Sequence, residues 1–205
     1  MINKIFSIIS SIGLRGLVIA LAKRMYFKIL RKKFNFNSWH SDSPLESKPY
    51  KMQVVRIANS INPMSVMEVG CGLGEILRKI EAPIKFGIDN DPNVIDAAKY
   101  LSPKSIKYSS CNLQDIGQLD FPVSTLDILV LVNWTHEVSW DFIRSSLVQI
   151  SKKYEIKHLL IDLIKQDTEG YPYIHKESNL EDLGVIIQKV NGADNIRKLY
   201  LVKFP

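Results

Sequence analysis

Only two of the 205 residues are cysteine, Cys71 and Cys111, and neither stands in a CxxC or Cys/His spacing. That excludes a disulfide framework and shows no zinc site, and it suits a reducing cytoplasm. Acids are missing from the first 34 residues, which hold Lys4, Arg15, Lys23, Arg24, Lys28, Arg31, Lys32 and Lys33. The chain's net charge of +6 therefore leaves the remainder at −2. The pI near 9.2 belongs to this arm, so nucleic-acid binding by the rest is not expected. Internal repeats and low-complexity segments are also missing. The one long apolar run, residues 5–22, is interrupted by Arg15 and by Gly13 and Gly16. It falls slightly short of the roughly 20 apolar residues that a membrane span needs.

The next segment, Lys23 to Phe34, is basic and aromatic. Apolar side chains beside dense Lys and Arg fit a helix lying on an anionic leaflet. The alternatives are a helix packed on its own domain or in a dimer, and a true span or signal peptide, for which Ala20-Leu21-Ala22 speaks. Residues 35–49 are polar and turn-rich, a linker or lid that carries the pair Trp39-His40. Residues 50–205 then form one domain.

Helical spacing from Tyr50 stops at Asn62-Pro63. A first strand, Ser65–Val69, breaks into Gly70-Cys71-Gly72-Leu73-Gly74, and a helix is expected over Glu75–Ile80. Ile84–Asp89 is a second strand, and Asp91-Pro92 caps a helix whose inner face is Val94, Ile95, Ala97, Ala98 and Leu101. Ser105–Ser109 is a short third strand. Thr125–Val132 is nearly all apolar, as expected of a central parallel strand covered on both faces. Helix Trp140–Ile150 and strand Lys157–Ile164 come next, then two strands around Asn191-Gly192-Ala193-Asp194, a hairpin signal. The expectation is an α/β domain with a mostly parallel sheet, helices on both faces and a C-terminal antiparallel hairpin.

A strand that ends in a glycine-rich turn is a place to hold a nucleotide-like ligand. A dinucleotide fingerprint, G-x-G-x-x-G, would put its third glycine at position 75, which is Glu. The spacing disfavours a pyrophosphate, and Glu75 at the expected helix start would repel one. Asp89 lies fifteen residues after Gly74, at a strand end where a carboxylate can accept both hydroxyls of a ribose; the plainer reading is a helix cap.

Val66–Gly74, Phe86–Asp91 and Ser110–Asp115, taken in order, resemble the class I S-adenosylmethionine-dependent methyltransferases over about residues 50–205. The resemblance implies their Rossmann-like seven-stranded sheet and S-adenosyl-L-methionine as cofactor. It implies that backbone at Gly70, Cys71, Gly72 and Gly74 approaches the methionine and ribose parts. Glu68 would support the amino end, Asp89 and the neighbouring Asn90 the ribose, Asn112 or the Leu113 backbone the adenine, and Asn133 would complete the site. The family's usual Gly-Asp pair after the third strand is Cys111-Asn112 here.

The acceptor site of such a fold lies past the fourth strand, at Asn133-Trp134-Thr135-His136-Glu137. The (Asp/Asn)-Pro-Pro-aromatic motif of nucleobase and protein-amide N-methyltransferases is missing there. His136 is the first candidate base, with Glu137 as its orienting partner; His40 is the second. A packing or capping histidine is the plainer reading. The aromatic loop Gly170–His175 comes after the fifth strand and shapes either the acceptor pocket or a packed connector. No metal is expected. The preferred reading is O-methylation of a hydroxyl on a glycan or lipid-linked sugar, by a cytoplasmic protein peripheral to the membrane. A soluble natural-product acceptor, or a non-catalytic binding module, is the alternative. The oligomeric state is left open.

Overall fold

The computed structural model describes residues 22, 24–40 and 48–205. The apolar run before Ala22 and the linker stretch 41–47 lie outside the described residues. Strands β1 (Ser65–Val69), β2 (Ile84–Asp89) and β3 (Ile106–Ser110) are followed by a short β4 (Thr125–Leu126) and by β5 (Ile128–Leu131). After another short strand, β6 (Glu155–Ile156), come β7 (His158–Ile164), β8 (Val185–Asn191) and β9 (Arg197–Lys203). Seven of them form one sheet in the order β3-β2-β1-β5-β7-β9-β8. All pairs from β3 to β7 are parallel, and β9 runs antiparallel to both of its neighbours. The order reverses between β1 and β5, so their carboxyl ends open a crevice at the point where ligands bind in such sheets.

Burial explains why this order is stable. β1 and β5 are buried throughout, as an apolar strand covered on both faces must be. One core layer joins helix α1 (Pro49–Asn59) to the sheet through Val54, Ile57 and Ala58, with Ile76, Leu77 and Ile80 beside them. Helix α2 (Pro92–Leu101) starts where the Asp91 side chain accepts from the Asn93 N–H at 2.9 Å. The cap is thus Asp91, and Asp89 is not used for it. The opposite core layer holds Ile143, Leu147 and Ile150 of α3 (Trp140–Ser151).

Three details differ from the sequence expectation. Residues 75–80 form successive turns rather than a regular helix. The Leu77 N–H donates to Glu68 at 3.1 Å, so it is turned toward the buried carboxylate. The apolar run from Thr125 is two strands, because β4 pairs with β6 in a separate two-stranded piece. Asp127 makes the break: its carboxylate accepts from the Met64 and Ser65 N–H groups at 2.8 and 3.1 Å, and the Ser65 hydroxyl accepts from its N–H. β3 begins and ends one residue later than its apolar pattern suggests.

Residues 24–34 are helical and divide their faces. Phe27, Leu30 and Phe34, at helical spacing, pack with Phe36 against Leu73, Val94, Ala97 and Leu101. Met25, Tyr26 and Ile29 are exposed, among Arg24, Lys28, Arg31, Lys32 and Lys33. No helix among the described residues is long and apolar enough to cross a membrane.

Candidate active site

The glycine turn needs its glycines for two reasons. Gly70, Gly72 and Gly74 have φ of +70°, +52° and +71°, where a side chain is strained. Neighbours also come too close. A Cβ on Gly70 would lie 2.3 Å from the Trp134 ring, and one on Gly74 would lie 2.2 Å from the Tyr108 hydroxyl. Trp134 is fixed there, because its indole N–H donates to the Val69 carbonyl at 2.7 Å.

Two connected clefts flank this turn. The smaller is polar and is lined by Glu68, Cys71, Gly72, Tyr50, Lys51 and His40, among others. The larger, about 370 Å³, runs past Asp89, Asn90, Asn112 and Leu113 to Val132, Trp134 and Glu137. Gly70, Asn133 and Trp39 line both. The structure therefore gathers nine of the ten expected cofactor residues. Gly74 lines neither cleft; its space is taken by Tyr108.

Each acid in the clefts has a partner, Glu75 pairing with Lys51 and Glu137 with His136. Glu68 is buried, and desolvation pushes its pKa from 4.5 to about 8, against the pull of Lys51 and the Leu77 N–H. A cation arriving in the polar cleft would restore its charge. Asp89 accepts from the Gly72 N–H at 2.9 Å and from the Asp91 N–H at 3.1 Å, one on each oxygen. Each carboxylate oxygen keeps a second lone pair for a hydroxyl of the ligand. Asn112 donates to Asp115 at 3.3 Å and is exposed, whereas Leu113 is buried. A zwitterionic end by Glu68 and Lys51, a diol at Asp89 and a flat ring by Asn112 and Leu113 fit S-adenosylmethionine.

Asn133 stands just past β5 with φ of +75°, a conformation costly for most residues and tolerated by Asn. A buried network holds it there. Its N–H donates to Asp162 at 2.9 Å, and Arg197 donates to its side-chain oxygen at 3.0 Å and to Asp162 at 2.6 Å. Arg197 also pairs with Asp194 and stacks over the Tyr50 ring at 4.0 Å. Burial pushes the Asp162 pKa up, and Arg197 and the Asn133 N–H oppose it. Tyr50, Asp162 and Arg197 belong to no motif in the sequence. Asp162 alone leaves a signal, since a lone acid inside the apolar run His158–Ile164 needs a buried partner.

Of the three candidate catalytic residues, His136 and Glu137 meet, and His40 stands apart from them on the glycine turn. His40 stands over Gly72, its ring stacked on Trp39 at 3.6 Å, and its Nε2 is buried without a partner among the described residues. Burial lowers its pKa, against the attraction of Asp89 and Asp91. Glu137 lines the larger cleft. His136 lies behind it, 9% exposed, with Nε2 3.3 Å from the Glu137 carboxylate and its ring edge-on to Tyr171 at 4.6 Å. Burial lowers the His136 pKa too, against Asp162 and Glu137.

A family profile described as a methyltransferase domain matches residues 67–154. No curated protein matches by sequence. Among solved structures, the chain is similar to the N-methyltransferase NodS from Bradyrhizobium japonicum in complex with S-adenosyl-l-homocysteine. The identity is 16%, over 87% of this chain and 97% of that one, with a TM-score of 0.66. Magnesium protoporphyrin IX methyltransferase from Synechocystis with bound SAM is 14% identical over 77% and 80%, with a TM-score of 0.59. A SAM-dependent methyltransferase from Aquifex aeolicus is 18% identical over 85% and 98%, with a TM-score of 0.58. The matched domain, the sheet order and the glycine turn agree: residues 67–154 carry a methyltransferase domain, and the sheet around it has the fold of the S-adenosylmethionine-dependent methyltransferases among those structures.

Proposed function

We propose that this methyltransferase transfers its methyl group to a hydroxyl on a glycan or lipid-linked sugar, on the cytoplasmic face of a membrane. The observation that carries the reading is the Glu137–His136 pair past the carboxyl end of β5, with Glu137 on the cleft wall. S-adenosylmethionine supplies a methyl group already activated on a sulfonium. The chain must then hold the acceptor in line and take its proton. Glu137 is placed to receive that proton. His136, kept neutral by burial, steadies the carboxylate through Nε2. Trp39 and Trp134 give the cleft aromatic walls against which a sugar ring can lie. His40 closes the cofactor side over Gly72.

The arm supports the membrane half of the reading. Phe27, Leu30 and Phe34 anchor it to the domain, which leaves Met25, Tyr26 and Ile29 outward among five cations. Exposed apolar side chains flanked by Lys and Arg suit an anionic leaflet.

Glu137→Gln tests the chemistry. Turnover on acceptor-bearing membrane extracts should fall about 10²–10⁴-fold, as for loss of a general base. The affinity for S-adenosylhomocysteine should stay unchanged. Full turnover in this variant overturns the assignment of Glu137, and methylation appearing on amines alone overturns the hydroxyl.

A further inference from the structure

A separate cleft, about 360 Å³, lies at the carboxyl end of β7. Its walls come from strand ends and from the loop that leads out of β7. Leu163 and Tyr200 form an apolar floor, and Lys165, Lys198 and His175 stand around it. The sheet register explains why they meet. Leu163 pairs with Lys198 across β7 and β9, and Lys165 and Tyr200 lie two residues further along the chain on the same faces.

The charges in this cleft are unequally partnered. Glu177 is partnered through one oxygen, its Oε2 accepting from Lys189 at 2.5 Å and from the Tyr200 hydroxyl at 3.0 Å. Lys198 acts on Glu177 only through space. Lys165 and Lys198 have no side-chain hydrogen bond or salt bridge among the described residues, and Asp167 is exposed at the rim. Two such ammonium groups over an apolar floor are a receptor for an oxyanion.

The position relative to the methyl-transfer cleft is the second observation. His175 Nε2 lies 2.9 Å from the Thr135 carbonyl, and the Tyr173 N–H donates to the His136 carbonyl at 3.1 Å. The segment from Trp134 to Glu137 thus borders the methyl-transfer cleft on one side and, through His175, the separate cleft on the other.

We propose that this cleft binds a phosphate group through Lys165 and Lys198, as a subsite separate from the cofactor. The phosphate comes either with the acceptor or as the free anion. Only the first source rests on the lipid-linked sugar reading; the binding itself does not.

Calorimetry on the full chain saturated with S-adenosylhomocysteine decides it, with inorganic phosphate and glucose 1-phosphate as probes. Inorganic phosphate should bind saturably, and Lys165→Met/Lys198→Met should weaken it at least about tenfold. Retained S-adenosylhomocysteine affinity shows that this variant is folded; Lys198→Gln alone serves if it is not. Lys104→Met/Lys107→Met, which removes two exposed cations elsewhere, should change nothing. Equal phosphate affinity in the wild type and the Lys165/Lys198 variant overturns the subsite, as does an equal loss in the control pair. Tighter binding of glucose 1-phosphate, with the gain removed by Trp39→Ala, assigns the phosphate to the acceptor. Equal affinity for the two probes assigns it to the free anion and leaves the Glu137 chemistry untouched.

Discussion

The two sides of the methyl-transfer cleft are built by different means. The cofactor side, from β1 to the end of β2, is mostly backbone: three left-handed glycines, N–H groups held by Asp89 and Glu68, and an aromatic pressed on Gly70. The acceptor side, at the ends of β5 and β7, depends on side chains drawn from distant segments: the His136–Glu137 pair, and Asn133, which lines both clefts and is held by Asp162 and by Arg197, itself over Tyr50 of the polar cleft. A backbone-built side tolerates little change in shape and binds one ligand. A side-chain-built side can be re-lined while the sheet stays the same. The matched structures agree with this division: a shared fold serves an N-methyltransferase and a magnesium protoporphyrin methyltransferase.

The sharpest way to break the comparison is Arg197→Met. If the acceptor side hangs on one buried network, losing the guanidinium leaves Asp162 buried and unpaired, at a cost of about 3–5 kcal/mol. Urea unfolding should show it, and a change below about 1 kcal/mol would mean that the network is dispensable. On the cofactor side, Asp89→Ala should lose charge-assisted hydrogen bonds and weaken S-adenosylhomocysteine by roughly 1.5–3 kcal/mol. Phosphate binding at the separate cleft beyond β7 should be unaffected, which a phosphate titration can check.

Glu68 gives a pH signature on the same side. Its folded pKa, about 8, is above the ordinary 4.5. The folded ligand-free protein therefore binds a proton that the unfolded chain has lost, and stability from this group is full below about 4.5 and declines as pH rises toward 8. Glu68→Gln should remove that decline in thermal melts. A cationic amino group beside Glu68 favours the carboxylate, so S-adenosylhomocysteine affinity should rise with pH up to about 8 and flatten in Glu68→Gln. The smallest effect on stability belongs to Met25→Glu/Ile29→Glu, within about 0.5 kcal/mol for exposed sites. That double variant should still abolish sedimentation of the full chain with anionic vesicles; unchanged sedimentation would detach the outer arm face from membrane binding.

The same division explains what is legible in the sequence. Strand–turn chemistry is local, so Glu68, the glycines and Asp89 can be read from one short stretch. The hairpin around Asn191–Asp194 is equally plain. The split at Asp127 is hidden because one carboxylate holding two N–H groups of a remote strand leaves no periodic trace. The turns at 75–80 are hidden because helical spacing of apolar residues does not reveal that Glu68 takes the Leu77 N–H. Arg197 lies 35 residues from Asp162 and 64 from Asn133, and no local pattern links them. The arm's alternatives are divided by geometry: one face packs on the domain, and the other remains outward.

The indole pressed on Gly70 also makes the chain its own optical probe. Trp134 and Trp39, two of the three tryptophans, border the larger cleft, and the third, Trp140, is near His175. An adenine or a sulfonium entering beside Gly70 alters the polarity around an emitter already tied to Val69. Cofactor occupancy can thus be followed by ultraviolet emission without a label, and Trp134→Phe and Trp39→Phe separate what each indole reports.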